Sequence, residues 1–348
     1  MVPVVDLARR GRALSGDLAA IASRVASRGT YLLGPETAAF EADLAAWAGA
    51  GHAIAVASGA SALQLALAAV GVRAGDEVVV PAFTAVPTAS AVAALGAVPV
   101  MVDVDDDTAT LDPALVERAR TERTRAVVVV HLYGRPAAIP DTDLPVVEDA
   151  AQAHGAIRDH TRSAAVAYSF YPTKNLGGVG DGGAVVTADA DIAASVRHAR
   201  VHGMTEQYVH TTVSQNFRMS EIEAGWLRLG LEGLEAVTAR RRAIAARYRT
   251  AAPSLRWHAD HPDHVHHLSV VRAPDRPAFR DALASRGVAT AVHYPRALTQ
   301  QPAYAHFTRD ACPIAEAWAG ECVTVPCFPE LTDDEIDTVA LALAEVQP

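Results

Sequence analysis

The sequence predicts an α/β chain: a seven-stranded, mostly parallel sheet with helices on both faces, followed by a smaller α+β region. Three observations carry this. Between residues 53 and 187, short apolar runs alternate with Ala/Leu-rich helical segments over short connections, which is the pattern of a parallel sheet covered on both sides. The run at 126–130 is an alanine followed by consecutive valines, as suits a strand buried on both faces. After residue 190 the alternation stops and long helical stretches take over.

Taken in order, residues 15–28 and 36–47 have helical apolar spacing, the second with Phe40, Leu44 and Trp47 on one face. Strands are expected at 53–57, 77–80, 98–102, 126–130, 146–148, 166–169 and 183–187. Helices are expected at 59–70, 87–95 and 113–120 between them. One connection, 139–145, is too short for a crossover helix. Either a very short crossover replaces the helix there, or one flanking strand is misread. Beyond 190, a long amphipathic helix at 220–248 leads into strands at 268–272 and 289–293 and helices at 277–286, 313–320 and 333–345. The expected division is 1–235 for the large domain with its N-terminal arm, and 236–348 for a small α+β domain.

The chain has 348 residues, a net charge of −10 and a half share of hydrophobic residues. No basic run could track a phosphate backbone, so nucleic acid is not an expected partner. No apolar run reaches the length of a membrane span. Residues 1–12 lack the apolar middle of a signal peptide. The three cysteines, Cys312, Cys322 and Cys327, are odd in number and lack the spacing of a zinc site. Together these predict a cytoplasmic protein with reduced thiols.

Several stretches carry candidate chemistry. Ser169–Asn175 places Lys174 in a loop between two expected strands. Taken alone, such a lysine reads as a solvated surface charge. Ser58-Gly59-Ala60-Ser61 joins the first strand to a helix. It is either an ordinary N-cap or, with its free backbone N–H groups, a seat for a phosphate. Glu148-Asp149 ends the fifth strand, where ligands of open α/β sheets bind. An acid there can charge a heterocyclic nitrogen, or it can be satisfied by local amides. Gly178–Gly183 matches G-x-G-x-x-G but precedes a strand, so a dinucleotide site is rejected. Those glycines are expected to allow positive φ or close backbone approach. Asp103–Asp107 fails the EF-hand template at Thr108 and Ala114 and reads as a solvated turn. His258, His261, His264, His266 and His267 form a dense patch, but neither a cysteine nor a repeated i, i+4 pair supports a metal site.

Taken together, these stretches resemble the DegT/DnrJ/EryC1/StrS family of sugar aminotransferases. The resemblance runs from Gly34-Pro35 to Val325–Glu330. It rests on Ser58-Gly59, Pro81-Ala82-Phe83-Thr84, His131–Gly134, Glu148–Gly155, Ser169–Asn175, Asn216–Met219 and His293-Tyr294-Pro295. It implies a fold-type I transferase dependent on pyridoxal 5′-phosphate, which passes through the pyridoxamine form during turnover. By the resemblance Lys174 is the Schiff-base lysine and Asp149 the partner of the pyridine nitrogen. Phe83 is expected to stack on the ring and Gln152 to reach its hydroxyl. Ser58, Gly59, Ala60 and Ser169 are expected to hold the phosphate. Asn216 is expected to reach the neighbouring subunit's cofactor in a homodimer with shared sites. Tyr31, His293 and Tyr294 are the candidates for the sugar-nucleotide side.

A lysine at 174 favours transaminases over the family's dehydratases, which have a histidine there. Ala151-Gln152-Ala153-His154-Gly155 resembles the enzymes acting at the sugar 3-position. The implied reaction takes a dTDP-3-oxo-6-deoxyhexose and L-glutamate to a dTDP-3-amino-3,6-dideoxyhexose and 2-oxoglutarate, in antibiotic or glycan sugar biosynthesis. The alternatives are a C4- or cyclitol (inosose) aminotransferase, a lyase or decarboxylase with the same cofactor, and a non-catalytic cofactor-binding regulatory protein.

Overall fold

The computed structural model describes residues 1–156 and 162–346. In chain order the N-terminal part holds α1 (Leu7–Ala13), α2 (Ser15–Arg28), α3 (Pro35–Ala48), β1 (His52–Val56), α4 (Gly59–Ala69), β2 (Glu77–Pro81), α5 (Val86–Ala93), β3 (Val98–Val102), α6 (Pro113–Ala119) and β4 (Thr124–Val130). Then come β5 (Val146–Asp149), β6 (Ala165–Ser169), β7 (Gly183–Thr187), α7 (Ala190–Ala199), a small hairpin of β8 (Met204–Glu206) and β9 (Val209–His210), α8 (Glu221–Glu232) and α9 (Leu234–Ala251). The C-terminal part holds β10 (Arg256–Trp257), β11 (Ser269–Arg272), α10 (Arg276–Ser285), α11 (Pro313–Glu321), β12 (Cys322–Val325) and α12 (Asp333–Glu345).

The main sheet has the order β1-β7-β6-β5-β4-β2-β3. Only β7 runs against the rest, antiparallel to both β1 and β6. The other neighbouring pairs are parallel. All seven expected strands are present. Their Val/Ile/Ala content fits burial on both faces, and Ile54, Val79, Val128 and Val185 are fully buried. The parallel arrangement sends the C-terminal ends of β1, β5 and β6 to one edge, where the chemistry-bearing loops begin.

The short connection resolves as a crossover without a helix. The chain leaves β4 through a single 3₁₀ turn at Leu132–Gly134 and returns to β5 in parallel register. Ala137, Ile139 and Leu144 pack onto Val127, Val129 and Val146, so the loop itself covers that face.

Other expectations need correction. The long helix at 220–248 breaks at Gly233 into α8 and α9. Residues 289–293 form no strand; Ala291 makes one isolated bridge to Thr324. The small sheet is instead β10-β11-β12. It backs onto a second apolar cluster that includes Tyr248, Phe279, Leu283, Val339 and Leu343. Asp103 is not solvated: its carboxylate accepts from Ile314 N at 3.0 Å and Ala315 N at 2.8 Å, at the start of α11. Asp106 pairs with Arg272 and Arg256.

One buried carboxylate fixes the N-terminal helices. Glu221, in the first turn of α8, accepts from Gly34 N, Glu36 N and Thr37 N at 2.8–2.9 Å, and also from the Thr37 hydroxyl. An anion there satisfies the orphan N–H groups that begin α3.

Candidate active site

The site is built at the C-terminal edge of β1, β5 and β6. Ser58 caps α4: its Oγ accepts from Ser61 N at 3.1 Å and lies 2.9 Å from Ser61 Oγ. Two glycines let the surrounding backbones converge. A Cβ at Gly59 would sit 2.5 Å from Ser169 Cβ, and one at Gly183 would sit 2.2 Å from the Ser58 carbonyl oxygen. The hydroxyls of Ser58 and Ser169 and the first-turn N–H groups of α4 at Gly59 and Ala60 are thereby gathered at one helix N-terminus. That donor set suits a phosphate. The glycines of 178–183 likewise serve close approach. Gly178 lies against the Glu223 carboxylate, whose Oε2 accepts from Val179 N at 3.1 Å. None of them has positive φ.

Asp149 ends β5 and is buried. Its Oδ2 accepts from Thr88 Oγ1 at 2.9 Å, and its Oδ1 from Ala151 N at 3.1 Å. Thr88 Oγ1 lies 3.1 Å from Thr84 Oγ1. Burial raises the carboxyl's pKa, and these hydrogen bonds and the Lys174 charge pull it back. A buried acid with a single nearby amine favours any cation brought beside it. Next to it, Glu148 faces His131 Nε2 at 2.7 Å. His131 Nδ1 accepts from Ala137 N at 2.9 Å, so Nε2 carries the proton and donates to Glu148.

Lys174 lies in the loop after β6, its own N–H bonded to the Tyr171 carbonyl at 2.8 Å. The side chain is half-buried in the wall of a cavity of about 250 Å³. His267, His293, Tyr294, Thr324 and Arg241 line the same cavity. Desolvation lowers the ammonium's pKa to about 8, and the Asp149 charge opposes that shift. At pH 7 about one amine in ten is then neutral, against about one in 10³ for an ordinary lysine. In cofactor-free protein, modification of Lys174 by an acylating reagent should therefore rise with pH through a midpoint near 8 and level off by about pH 10. A midpoint near 10.5, followed by peptide mass mapping across pH 6–11, would refute the desolvated amine.

The other expected residues divide into those brought to the site and those not. Gln152 is buried and bonded at both ends: its Oε1 accepts from Tyr133 N at 2.6 Å and its Nε2 donates to Tyr294 Oη at 2.9 Å. It ties the turn after β5 to the 293–294 segment. His293 Nδ1 lies 2.9 Å from Thr324 Oγ1, and the Tyr133 hydroxyl donates to the His293 carbonyl. Burial pushes the Tyr294 phenol up to about 12, so it stays protonated. Phe83 does not line the Lys174 cavity. It is fully buried, with its ring stacked on Trp318 at 6.1 Å. Tyr31 is 57% exposed and its carbonyl accepts from Glu221 N, away from the cavity. Asn216 is exposed on the segment after the β8–β9 hairpin, where its Oδ1 accepts from Arg218 N and Nε.

Arg241, Thr324 and His267 were not singled out for this cavity by the sequence. Arg241 lies on α9, buried, and its Nη1 donates to the carbonyls of His266, His267 and Cys327. It clamps the cavity wall from far along the chain. No sequence signal distinguishes it from the neighbouring arginines, Arg240 and Arg242.

The anion seat, the buried acid and the desolvated amine fit the pyridoxal phosphate that the sequence resemblance implies. Comparison with known proteins agrees. The family model described as "DegT/DnrJ/EryC1/StrS aminotransferase family" matches residues 14–344. The chain is 43% identical to "Erythromycin biosynthesis sensory transduction protein EryC1" of Saccharopolyspora erythraea, covering 98% of each chain. It is also 43% identical to "dTDP-3-amino-3,4,6-trideoxy-alpha-D-glucose transaminase" of Streptomyces venezuelae, covering 95% of this chain and 92% of that one. Among solved structures, DesV of S. venezuelae superposes with a TM-score of 0.93 at 41% identity, covering 99% of this chain and 98% of that one. NtdA from Bacillus subtilis, solved with bound pyridoxamine phosphate, superposes with a TM-score of 0.91 at 27% identity, covering 98% and 84%. On sequence, fold and site geometry alike, this chain belongs to the DegT/DnrJ/EryC1/StrS aminotransferase family.

Proposed function

We propose that this aminotransferase moves the amino group of L-glutamate to the 3-keto carbon of a nucleotide-linked deoxysugar, with dTDP as the nucleotide. The observation that carries the transaminase reading is the desolvated amine of Lys174 opposite buried Asp149. The substrate reading draws on relatives: dTDP-sugar transaminases of S. venezuelae and Micromonospora megalomicea, and a "UDP-N-acetyl-3-dehydro-alpha-D-glucosamine 3-aminotranferase" of Acidithiobacillus ferrooxidans at 36% identity. Their names share a 3-amino or 3-keto sugar bound to a nucleotide.

Bound pyridoxal phosphate supplies a carbonyl that captures amines and a ring that accepts the electron pair left when a proton departs the substrate carbon. Lys174 would anchor it and, when displaced by the donor amine, move protons at Nζ as a general base and acid. Asp149 would hold a positive ring nitrogen. Ser58, Gly59, Ala60 and Ser169 would hold the phosphate. Gln152 and Tyr294 would fix the polar edge of the site, and His293 would face the sugar side. Partial desolvation in the cavity wall lowers the Lys174 amine's pKa to about 8.

We also propose a homodimer with shared sites. Tyr208, Val209 and Val213 on and beside the β8–β9 hairpin are exposed, as are Leu32 and Leu33. Leu32 bridges Ser220, on the stretch that follows the hairpin and Asn216. Asn216, exposed on its own chain, would reach the phosphate seat of a second copy. Refolding a mixture of Lys174→Ala and Asn216→Ala chains should then recover up to about a quarter of wild-type activity, because half the random dimers carry one intact site. If the mixture stays as inactive as its parents, the sites are not shared.

Two relatives bear regulatory names: EryC1 itself and "Pleiotropic regulatory protein" of Geobacillus stearothermophilus, at 38% identity. A purely regulatory reading leaves the desolvated Lys174 and its acid without use. The deciding experiment adds L-glutamate to the cofactor-loaded protein and follows absorbance. Conversion to the pyridoxamine form with 2-oxoglutarate release, reversed by a dTDP-3-keto-sugar, is the expected result. An unchanged spectrum at every glutamate concentration would remove the transaminase reading.

A further inference from the structure

The geometry points to a divalent transition-metal site of the zinc class formed by Asp260, His264 and His266, on the loop between β10 and β11. Their donor atoms lie within 4.8 Å of one another. Asp260 Oδ1 is 3.6 Å from His264 Nδ1 and 3.6 Å from His266 Nε2. Nitrogen and oxygen ligands on one tetrahedral zinc lie about 3.3–3.4 Å apart, given bonds of about 2.0–2.1 Å. The two distances from Asp260 are within a few tenths of an ångström of that spacing before any ion enters.

The proton on His264 supplies an independent argument. The imidazole is buried, with its side chain 2% exposed. Its Nε2 lies 3.3 Å from the Tyr133 carbonyl oxygen, which can only accept, so Nε2 carries the hydrogen. Nδ1 is then a lone pair, and it has no hydrogen-bond partner. It faces a carboxylate oxygen. A positive centre between the two, whether a metal ion or a proton, satisfies both. A backbone carbonyl on the far nitrogen is also the usual device that orients a metal-bound histidine. The His266 ring stacks on that of His264 with centroids 3.8 Å apart, which aims both rings at the same side.

Asp260 is exposed and the cluster opens to a surface hollow also lined by His261 and Arg242. The remaining coordination positions therefore face water. The guanidinium groups of Arg242 and Arg249 act on the cluster and weaken its hold on a cation. The role is structural. Val265 N donates to the Gly134 carbonyl at 2.9 Å, and His267, one residue beyond the last ligand, lines the Lys174 cavity. A bound ion pins this loop, and with it one wall of that cavity.

The test titrates zinc into cofactor-loaded protein against a chromophoric chelator, using wild type, Asp260→Asn and His264→Gln. Wild type should take up an equivalent per chain that both variants hold at least about tenfold more weakly. Asp260→Asn alters an exposed group and leaves the buried rings in place, so its result does not depend on refolding a core position. Zinc should also slow amide exchange across residues 258–267 in wild type and not in Asp260→Asn. Equal zinc binding by wild type and Asp260→Asn would overturn the site, as would uptake that leaves exchange in that loop unchanged.

Discussion

Lys174→Ala should lose transamination by on the order of 10⁴-fold or more while the chain still folds. The side chain is only half-buried and none of the described hydrogen bonds involves its amine, so removing it opens little of the core. The loss should fall on kcat, since the phosphate seat and the cavity walls remain. Borohydride treatment followed by mass spectrometry should find no cofactor adduct on the variant. Added small primary amines should restore part of the proton transfer, because they supply the missing group without the tether. A variant with near wild-type turnover, or with a persisting adduct on another lysine, would show that the amine at 174 is not the acting one.

Asp149→Asn should cost about 10²–10³ in kcat, the usual effect of removing one preorganised electrostatic partner. The amide keeps the shape of the carboxylate but cannot offset a positive ring nitrogen. The amide oxygen can still accept from Ala151 N, and its NH2 can donate to the Thr88 hydroxyl, so the fold should survive. The absorbance of the bound cofactor should shift and its affinity should fall. Unchanged kcat together with an unchanged spectrum would make Asp149 a structural residue, held for its bonds to Thr88 and Ala151.

The sheet was legible because its strands are uniformly apolar and short, and because the intervening helices are Ala/Leu-rich. Lys174, Asp149 and the Ser58-Gly59 turn were legible because strand ends in such folds are where loops carry chemistry. What failed has physical reasons. The 289–293 run is apolar enough for a strand, but Cys322–Val325 occupies the place beside β11. Gly233 divides a helix whose apolar pattern runs through it. Phe83 was expected from its motif, but its contact with Trp318 was not legible, because the partner comes from the C-terminal part of the chain. Arg241 was invisible because its partners are backbone carbonyls, which carry no sequence identity. The approach of Asp260, His264 and His266 was not legible, because loop geometry and not a regular spacing brings them together.

The reversed strand β7 bears on how the protein acquires its site. It joins the Ser58 end of β1 to the Ser169 end of β6, pairing Val56 with Gly183 and Ser169 with Gly183. These pieces are far apart in sequence, and long-range pairing of this kind is slow. The anion seat therefore exists only once the edge of the sheet has closed. A cofactor held by this seat would favour the chain in which the edge has closed, by mass action. For this enzyme, retained pyridoxal phosphate would mark a chain whose sheet edge has closed.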